Sequence, residues 1–531
     1  MASLSPLNTT PTTASSSTRP FFQSSLVPIV GKQNYGIVHK VSCSNSRDGN
    51  QKSKQGSSSN GEGSLERMDR RNVLIGLGGL YGAAGLSADK YAYGAPVMPP
   101  DLSKCGPADL PEGAKPTNCC PPADLNIIDF KLPSKSSPMR VRPAAHLVDE
   151  EYLAKYNKAV ALAKALPDDD PRSFMQQANV HCAYCDGAYD QIGFPDLELQ
   201  VHNSWLFFPF HRYYLYFYEK ILGKLIGDPT FTIPFWNWDS PPGMQLPAMY
   251  ADPKSPLYDT LREAKHQPPT LMDLDYDGTE TTLTGKQQLS SNLSIMYRQV
   301  VSSGKTAQLF LGSSYRAGDQ PNPGAGSFEN VPHGPVHRWC GDQTQPNGEN
   351  MGNFYSAARD PIFYSHHSNV DRIRKRTARA REGPRLPRPN QSEIRLSRRG
   401  HSVAEIPANF KKSQGCPRIE EESRWRVPKK LGLGEGIELA RDTFVKFDIY
   451  INDEDDKGSS PDTAEFAGSF VNVPHKHGKK NEKLKTCLRL GITDLLEDLE
   501  AEDDETVVVT LVPRQGKGVV TIGGIKIEFG S

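Results

Sequence analysis

The chain has 531 residues, 62 basic against 62 acidic side chains, 37% apolar residues, 13 histidines and 9 cysteines. Such a length predicts two or more domains, and a net charge of zero recommends no nucleic-acid partner. No run of about eighteen apolar residues occurs, so no membrane-spanning helix is expected, while 45 glycines and 43 prolines predict many loops.

Residues 1 to about 95 do not read as folded protein. The first sixty positions hold a single acidic residue, Asp48, among abundant Ser, Thr, Lys and Arg, the composition of an organelle transit peptide. Arg70 and Arg71 then precede a short apolar run of small residues. That order fits a second export signal and the run is too short for a span. Together the signals predict two-stage import into the chloroplast thylakoid lumen, with import and export machinery as passing partners. The mature start is expected between Ala88 and Pro96.

Next comes KCGPADLPEGAKPTNCCPPADL, with Cys105, Cys119 and Cys120 and too few apolar residues to hold itself in place. Such a segment needs stapling, and Cys182 beside His181 offers an anchor. A cysteine-ligated zinc is the alternative, disfavoured because this segment has no CxxC spacing. From Pro143 to Arg372 the pattern is helical: EEYLAKYNKAVALAKALP repeats apolar residues every three or four positions. LFFPFHRYYLYFYEKILGKLI does so densely enough to be buried on most sides. Pro241 to Gly326 reads as loops with one helical piece near Gln287 to Gly304.

Two histidine trios stand in this helical part. The first is His181, His202 and His211. His202 and His211 are about half a turn out of phase on an ideal helix, so they share a metal only if the helix is irregular or begins between them. Pro209 supplies a reason, being tolerated in a first turn and disruptive inside a helix. The second begins with His333 and His337 in VPHGPVHRW, four apart and so on one helix face. A lone HxxxH is more often a pair of ordinary polar helix residues. Here DPIFYSHHSNVDR follows, with Asp360–Pro361 as a helix start and His366, His367 and Asp371 inside the helix. Asp371 is expected to pair with a ligand or a neighbouring arginine. Imidazole suits copper, zinc, iron or nickel. Two trios without acidic ligands argue against magnesium or calcium and for two copper ions side by side, which is dioxygen chemistry.

From Ile373 to Gly432 the pattern breaks, with one Trp, one Phe and no Tyr against 17 Lys plus Arg. The tract should be exposed or disordered, because burying it costs several kcal/mol per unpaired charge. A basic nucleic-acid or membrane patch is the less favoured reading; a linker, or an out-of-frame segment, is favoured. From Phe444, VKFDIYIN, VVVTLVPR and GVVTIGGIKIEF alternate apolar and polar residues between glycine turns, predicting strands. His475 and His477 share a strand face without a third partner, which disfavours a metal there.

HCAYC, HNSWLFFPFHRYYLYFYE, FWNWD, HHSNVDR and, later, KFDIYINDEDD resemble the plant polyphenol oxidases, catechol oxidases related to tyrosinase and haemocyanin. The resemblance covers roughly Ala95 to Arg372 and Phe444 to Ser531. It implies one copper on His181, His202 and His211, and the other on His333, His337 and His367. It also implies a thioether from Cys185 to His202, bridges Cys105–Cys120 and Cys119–Cys182, a gate at Phe354 above the second trio, and a water-orienting acid at Glu329. The implied fold is multi-domain: a mainly α helical-bundle dicopper domain, then a β-sandwich-like C-terminal domain. The expected segments are 1–95 for targeting, 96–372 for the dicopper domain, 373–436 as an atypical basic linker and 437–531 as a β domain shielding the copper entrance.

The implied activity is oxidation of o-diphenols to o-quinones with O2 reduced to water, its partners being small phenols and O2. Gly334 and Arg338, each following a ligand, predict weak hydroxylation of monophenols. Tyrosinase-type hydroxylation, a haemocyanin-like O2 carrier and a catalytically impaired paralogue stay as alternatives. Copper content with catechol-dependent oxygen uptake separates oxidase, carrier and impaired chain.

Overall fold

The computed structural model describes residues 95–381 and 429–529, apart from positions 125, 127, 135, 138, 454–458, 476–482, 505 and 517, together with the strand Ser25–Pro28. The twin arginine, His477 and the tract 382–428 lie outside the described residues.

The helical part is set by caps that sequence chemistry supplies. Asp149 accepts the Tyr152 amide at 2.8 Å and starts α1 (Glu150–Lys164), and Ser173 does the same for α2 (Phe174–Cys185). α3 (Phe207–Ile226) carries Pro209 in its first turn and stops at Gly227, whose φ of 73° costs glycine little. The loops of 241–326 contain α4 (Gly285–Met296), opened by a Thr284/Gln287 capping box and continued by a π-helical stretch Tyr297–Ser302. The short α5 (Ala307–Leu311) follows. A kinked stretch, Glu329–His333, in which Val331 is extended (φ −137°, ψ 128°), leads into α6 (Gly334–Cys340); then come α7 (Phe354–Ala357) and α8 (Ile362–Arg381). α1 and α8 pack on α3, and α2 packs on α7. Around them lies a core in which Trp236, Trp238, Trp339, Tyr156, Tyr218 and Tyr364 are fully buried.

α8 crosses the boundary expected at 372 and continues to Arg381. Val370 and Ile373 are 1% and 5% exposed, so its apolar face persists for a turn beyond the histidines. Among the described residues no helix is long and apolar enough to cross a membrane.

The Pro-rich segment is held covalently. Cys105 is bonded to Cys120 and Cys119 to Cys182, the latter on α2 one residue from His181. The Cys119–Cys182 bridge closes a separation of 63 residues, for which chain entropy gives about 4 kcal/mol. Cys119→Ser combined with Cys182→Ser should therefore lower the thermal midpoint by several degrees. An unchanged midpoint in calorimetry would show that other contacts hold the segment.

The C-terminal part is built from strands. After the short pair β2 (Asp190–Gln191) and β3 (Phe194–Glu198) in the helical part, β4 (Lys429–Leu439) begins before the boundary expected at 437. Then follow β5 (Val445–Ile451), β6 (Phe466–Asn472) and β7 (Leu484–Gly491). The short α9 (Thr493–Asp498), β8 (Thr506–Gln515), β9 (Val520–Ile522) and β10 (Ile525–Phe529) complete it. One sheet orders β8-β5-β6, and the other orders β10-β4-β7 with β9 also on β4. All these pairings are antiparallel. Ile437, Phe447, Ile449, Leu488, Val509 and Ile527 from both sheets share one core.

One expectation needs correction here. Residues 1–95 were expected to contribute no structure, yet Ser25–Pro28 (β1) pairs antiparallel with β8. An open strand edge accepts a short apolar tetrapeptide readily. All seven residues of β5 are buried, the polar positions of its alternation included. Its polar face, Lys446 and Asp448, packs on Asp275 of the helical part. The helical and sheet parts thus form one compact unit.

Candidate metal centre

The two trios meet in space. The His211 ring lies on the His367 ring, centroids 4.2 Å apart and planes 8° apart. The first-trio rings lie 5.1–5.5 Å from one another, and His333, His337 and His367 are 4.6–5.3 Å apart. α3 begins at Phe207, between His202 and His211, which removes the phase mismatch: His202 arrives from the bend that precedes the helix and His211 from the helix itself. Each group keeps its ligating atoms within 4.8 Å of one another, and the second group also contains His366.

Backbone and amide carbonyls choose the tautomers. Nδ1–H of His181 donates to the Phe354 carbonyl at 3.0 Å and that of His211 to Phe207 at 2.8 Å. His333 donates to Glu329 at 2.9 Å, His337 to Met351 at 2.8 Å, and His202 faces the Gln200 side-chain oxygen at 3.3 Å. A proton on Nδ1 leaves Nε2 as a lone pair, the form a metal needs. Burial reinforces this by pushing all the imidazoles down, His211 to about 3 and His337 to about 4, so they are neutral at physiological pH. Nε2 of His181, His211 and His333 are buried with no hydrogen-bond partner among the described residues. Each such orphan costs about 1–3 kcal/mol, which coordination removes. The donor set fits a metal pair.

The neighbours stiffen it. Gln200 donates to the Cys185 carbonyl at 2.9 Å and accepts the His202 amide at 2.8 Å, tying the C-terminal end of α2 to His202. Cys185 itself is a free, buried thiol, and burial pushes its pKa up. Asp371 bridges Arg142 at 3.1 Å and Arg212 at 2.8 Å, so the residue after His211 is clamped to α8. Phe363 fills the space between trios, 4.8 Å from His181 and 4.3 Å from His367. Gln200 and Phe363 carried no sequence signal; only the fold brings them in.

Phe354 was expected above the second trio; its ring stacks on His202 of the first, at 4.1 Å and 17°, and borders one space with His333 of the second. The α2–α7 packing that fixes its backbone carbonyl on His181 pulls the side chain to that side. His475 of the sheet part stacks on its other face at 4.9 Å, a contact rather than a ligand. Glu329 is 4% exposed, accepts the Asn203 amide at 2.6 Å, and is held well above the usual carboxylate range by burial. His202, Glu329, His333, Gly334 and Phe354 surround a space of about 20 Å3, closed from above by Val471, Val473 and His475.

Comparison with known proteins decides the family. The common central domain of tyrosinase matches residues 171–376, and the chloroplastic polyphenol oxidase C-terminal domain matches 429–529. The chain is 53% identical to a chloroplastic polyphenol oxidase of Malus domestica over the whole of both chains. The chain belongs to the plant polyphenol oxidases. It is also 50% identical to the Vitis vinifera polyphenol oxidase, over 96% of this chain and 95% of that one. Latent apple tyrosinase superposes with a TM-score of 0.66 at 52% identity, covering 76% of this chain and all of that one. Latent aurone synthase does so with 0.71 at 37%, covering 82% and 99%. The protein is a copper oxidoreductase whose cofactor is the dicopper pair of this family, set in a helical domain followed by a C-terminal sheet domain. Relatives of this similarity are named chloroplastic.

Proposed function

We propose that this polyphenol oxidase acts as a catechol oxidase: two o-diphenols give up four electrons and four protons, leaving as o-quinones, while one O2 becomes two waters. The observation that carries this reading is the convergence of histidine lone pairs on a space bordered by Phe354 and Glu329. We assign His181, His202 and His211 to one copper and His333, His337 and His367 to the other. Bound copper supplies the two-electron redox chemistry with dioxygen. The chain's residues do the rest. Phe354 offers a ring face against which a phenol stacks, and its hold on His202 orients that face. Glu329 Oε2, buried and without a partner among the described residues, is placed to hold a water that takes the diphenol proton. Cys185 forms its thioether to His202, with Gln200 keeping the two in register.

Gly334 bears no side chain that would help to deprotonate a monophenol, which supports diphenol oxidation over hydroxylation. A Cβ there would meet Val471 Cγ1 at 3.0 Å, so the sheet domain, a β-sandwich in this reading, sits directly on the site. A 20 Å3 space holds about one water, and therefore no catechol. The sheet domain then acts as a shield, and its removal admits substrate. The transit-like segment and the Arg70–Arg71 signal support the thylakoid lumen as the working compartment.

The test is oxygen consumption by copper-loaded protein before and after proteolytic removal of the sheet domain. The expected outcome is two coppers per chain, fast uptake with 4-methylcatechol only after removal, and at least tenfold slower uptake with unprimed tyrosine. Fast tyrosine turnover without a diphenol primer would contradict the assignment.

A second reading has its own observation. The alignment with the Malus protein spans 607 positions, 76 more than the chain's 531 residues, and the two family matches leave 377–428 uncovered. A chain impaired by this departure would bind less copper and consume no oxygen with either phenol. Translating the parent transcript in its other two frames across 373–432 tests whether the tract is out of frame: a tryptophan-containing apolar helix followed by tyrosines should emerge.

A further inference from the structure

α7 is a single turn with two faces. Phe354 projects onto His202, and Tyr355, the next residue, lines a separate cavity of about 710 Å3 on the far side. We propose that this cavity is a second, non-catalytic site that binds an aromatic carboxylate of the phenolic-acid class.

Its chemistry is that of an amphipathic anion. Phe174, Tyr258 and Tyr355 supply aromatic wall, and Lys115, Lys164 and Arg359 supply positive charge. Arg359 is the centre of the argument. Its guanidinium lies over the Tyr355 ring at 5.3 Å. It makes no ion pair among the described residues, and its Nε is buried without a hydrogen-bond partner. Burial lowers its pKa, so a bound carboxylate would relieve a desolvated cation and engage its planar fork with two hydrogen bonds.

The carboxylates in the wall do not already fill that role. Glu349 accepts the Tyr355 hydroxyl at 2.9 Å and both nitrogens of Asn347 at 2.9 Å. Asp259 accepts the Leu261 amide at 2.8 Å and Asn350 Nδ2 at 2.7 Å, and burial pushes it up to about 6. Both are occupied with holding the loop, and Asp168, the third carboxylate of the wall, is exposed and makes no ion pair among the described residues. A cavity of several hundred Å3 with aromatic walls and few convergent polar groups has the form of a small-molecule site, and this one is wide enough for a single-ring phenolic acid.

The test uses the full copper-loaded chain, in which the sheet domain leaves the dicopper centre no room for an aromatic acid. Titration with 4-methoxycinnamate, which lacks an oxidisable hydroxyl, is followed by calorimetry. The expected result is one-to-one binding to this latent form. It should weaken at least tenfold in Arg359→Gln and severalfold in Lys164→Gln, whose side chain also donates to the Pro256 carbonyl at 2.7 Å. The thermal midpoint, and catechol turnover after proteolytic removal of the sheet domain, should match the parent in both variants, which separates loss of this site from damage to the fold or the metal centre. No binding to the latent form, or binding unchanged in both variants, overturns the proposal.

Discussion

Replacing His367 by alanine should remove one copper per chain and abolish catechol-dependent oxygen uptake, whereas His366→Ala should keep both coppers. The two residues are adjacent and equally buried, and both lie within metal reach of His333 and His337, so proximity does not separate them. Hydrogen bonding does. The indole N–H of Trp238 donates to His366 Nδ1 at 3.2 Å, and an indole nitrogen is a donor only. His366 Nδ1 therefore holds a lone pair, and the neutral ring carries its proton on Nε2, the nitrogen that would have to face the metal. That tautomer has nothing to offer a cation at Nε2. His367 is the reverse case: its Nε2 lies 3.2 Å from His337 Nε2, whose lone pair is already fixed by the Met351 carbonyl. Two such nitrogens that close require a proton or a metal between them. His366→Ala should cost stability through a buried cavity and the lost partner of Trp238, about 2–4 kcal/mol, and yet retain copper. Copper counted by absorption spectroscopy reads the difference directly, and two coppers retained in His367→Ala would sink the assignment.

How much of this centre was legible in the sequence follows from the range of each interaction. The trios are local patterns, and the phase problem between His202 and His211 pointed to a helix starting between them, which Phe207 does. Proline and aspartate placed the α8 start for a local reason too, since Asp360 accepts the Ile362 amide at 2.9 Å. That same carboxylate also closes a buried pair with Arg262 at 2.6 Å, ninety-eight residues away, which no spacing rule reveals. Phe354 was legible as a residue near copper but not as to which side, because its aim depends on α2 packing against α7. Alternation along VKFDIYIN showed a strand and was silent about what covers its polar face, since period two distinguishes faces but not their neighbours. The end of α8 was misread at 372 because charge content dominates composition there, whereas helix propagation needs only one apolar face per turn.

The covered polar face of β5 carries the last expectation: Lys446→Met should undock the sheet domain, and Asp448→Asn should do nearly as much, whereas Asp275→Asn should be tolerated. Lys446 Nζ sits 2.6 Å from Asp448 and 2.9 Å from Asp275, with lysine and Asp448 at most 1% exposed. Arg514 reaches Asp448 at 2.6 Å and Ser469 donates to it at 2.7 Å. Burial works against the Asp448 charge, yet Lys446 and Arg514 hold its carboxyl below its ordinary value. Asp275 lacks the second cation, and burial pushes it up to about 8 against the pull of Lys446. The two acids therefore differ in sign. Asp448 has a folded pKa below its unfolded one, so its stabilisation is present at neutral pH and is lost only below about pH 4. Asp275 has a folded pKa above its unfolded one, so its contribution is complete below about pH 4 and is lost progressively as pH rises to about 8. Removing Lys446 leaves a buried carboxylate with one half-exposed partner and should cost about 3–5 kcal/mol. Asp275→Asn replaces a largely protonated group by a neutral one of the same shape and should cost under about 1 kcal/mol. Undocking reads out as catechol turnover without proteolysis, so Lys446→Met should be active untreated at pH 7 and Asp275→Asn should remain latent. The parent should loosen progressively from about pH 4 to about pH 8 and then level off, and Asp275→Asn should not. If Asp275→Asn instead proved the more active of the two untreated variants, the roles assigned to the paired acids would be reversed.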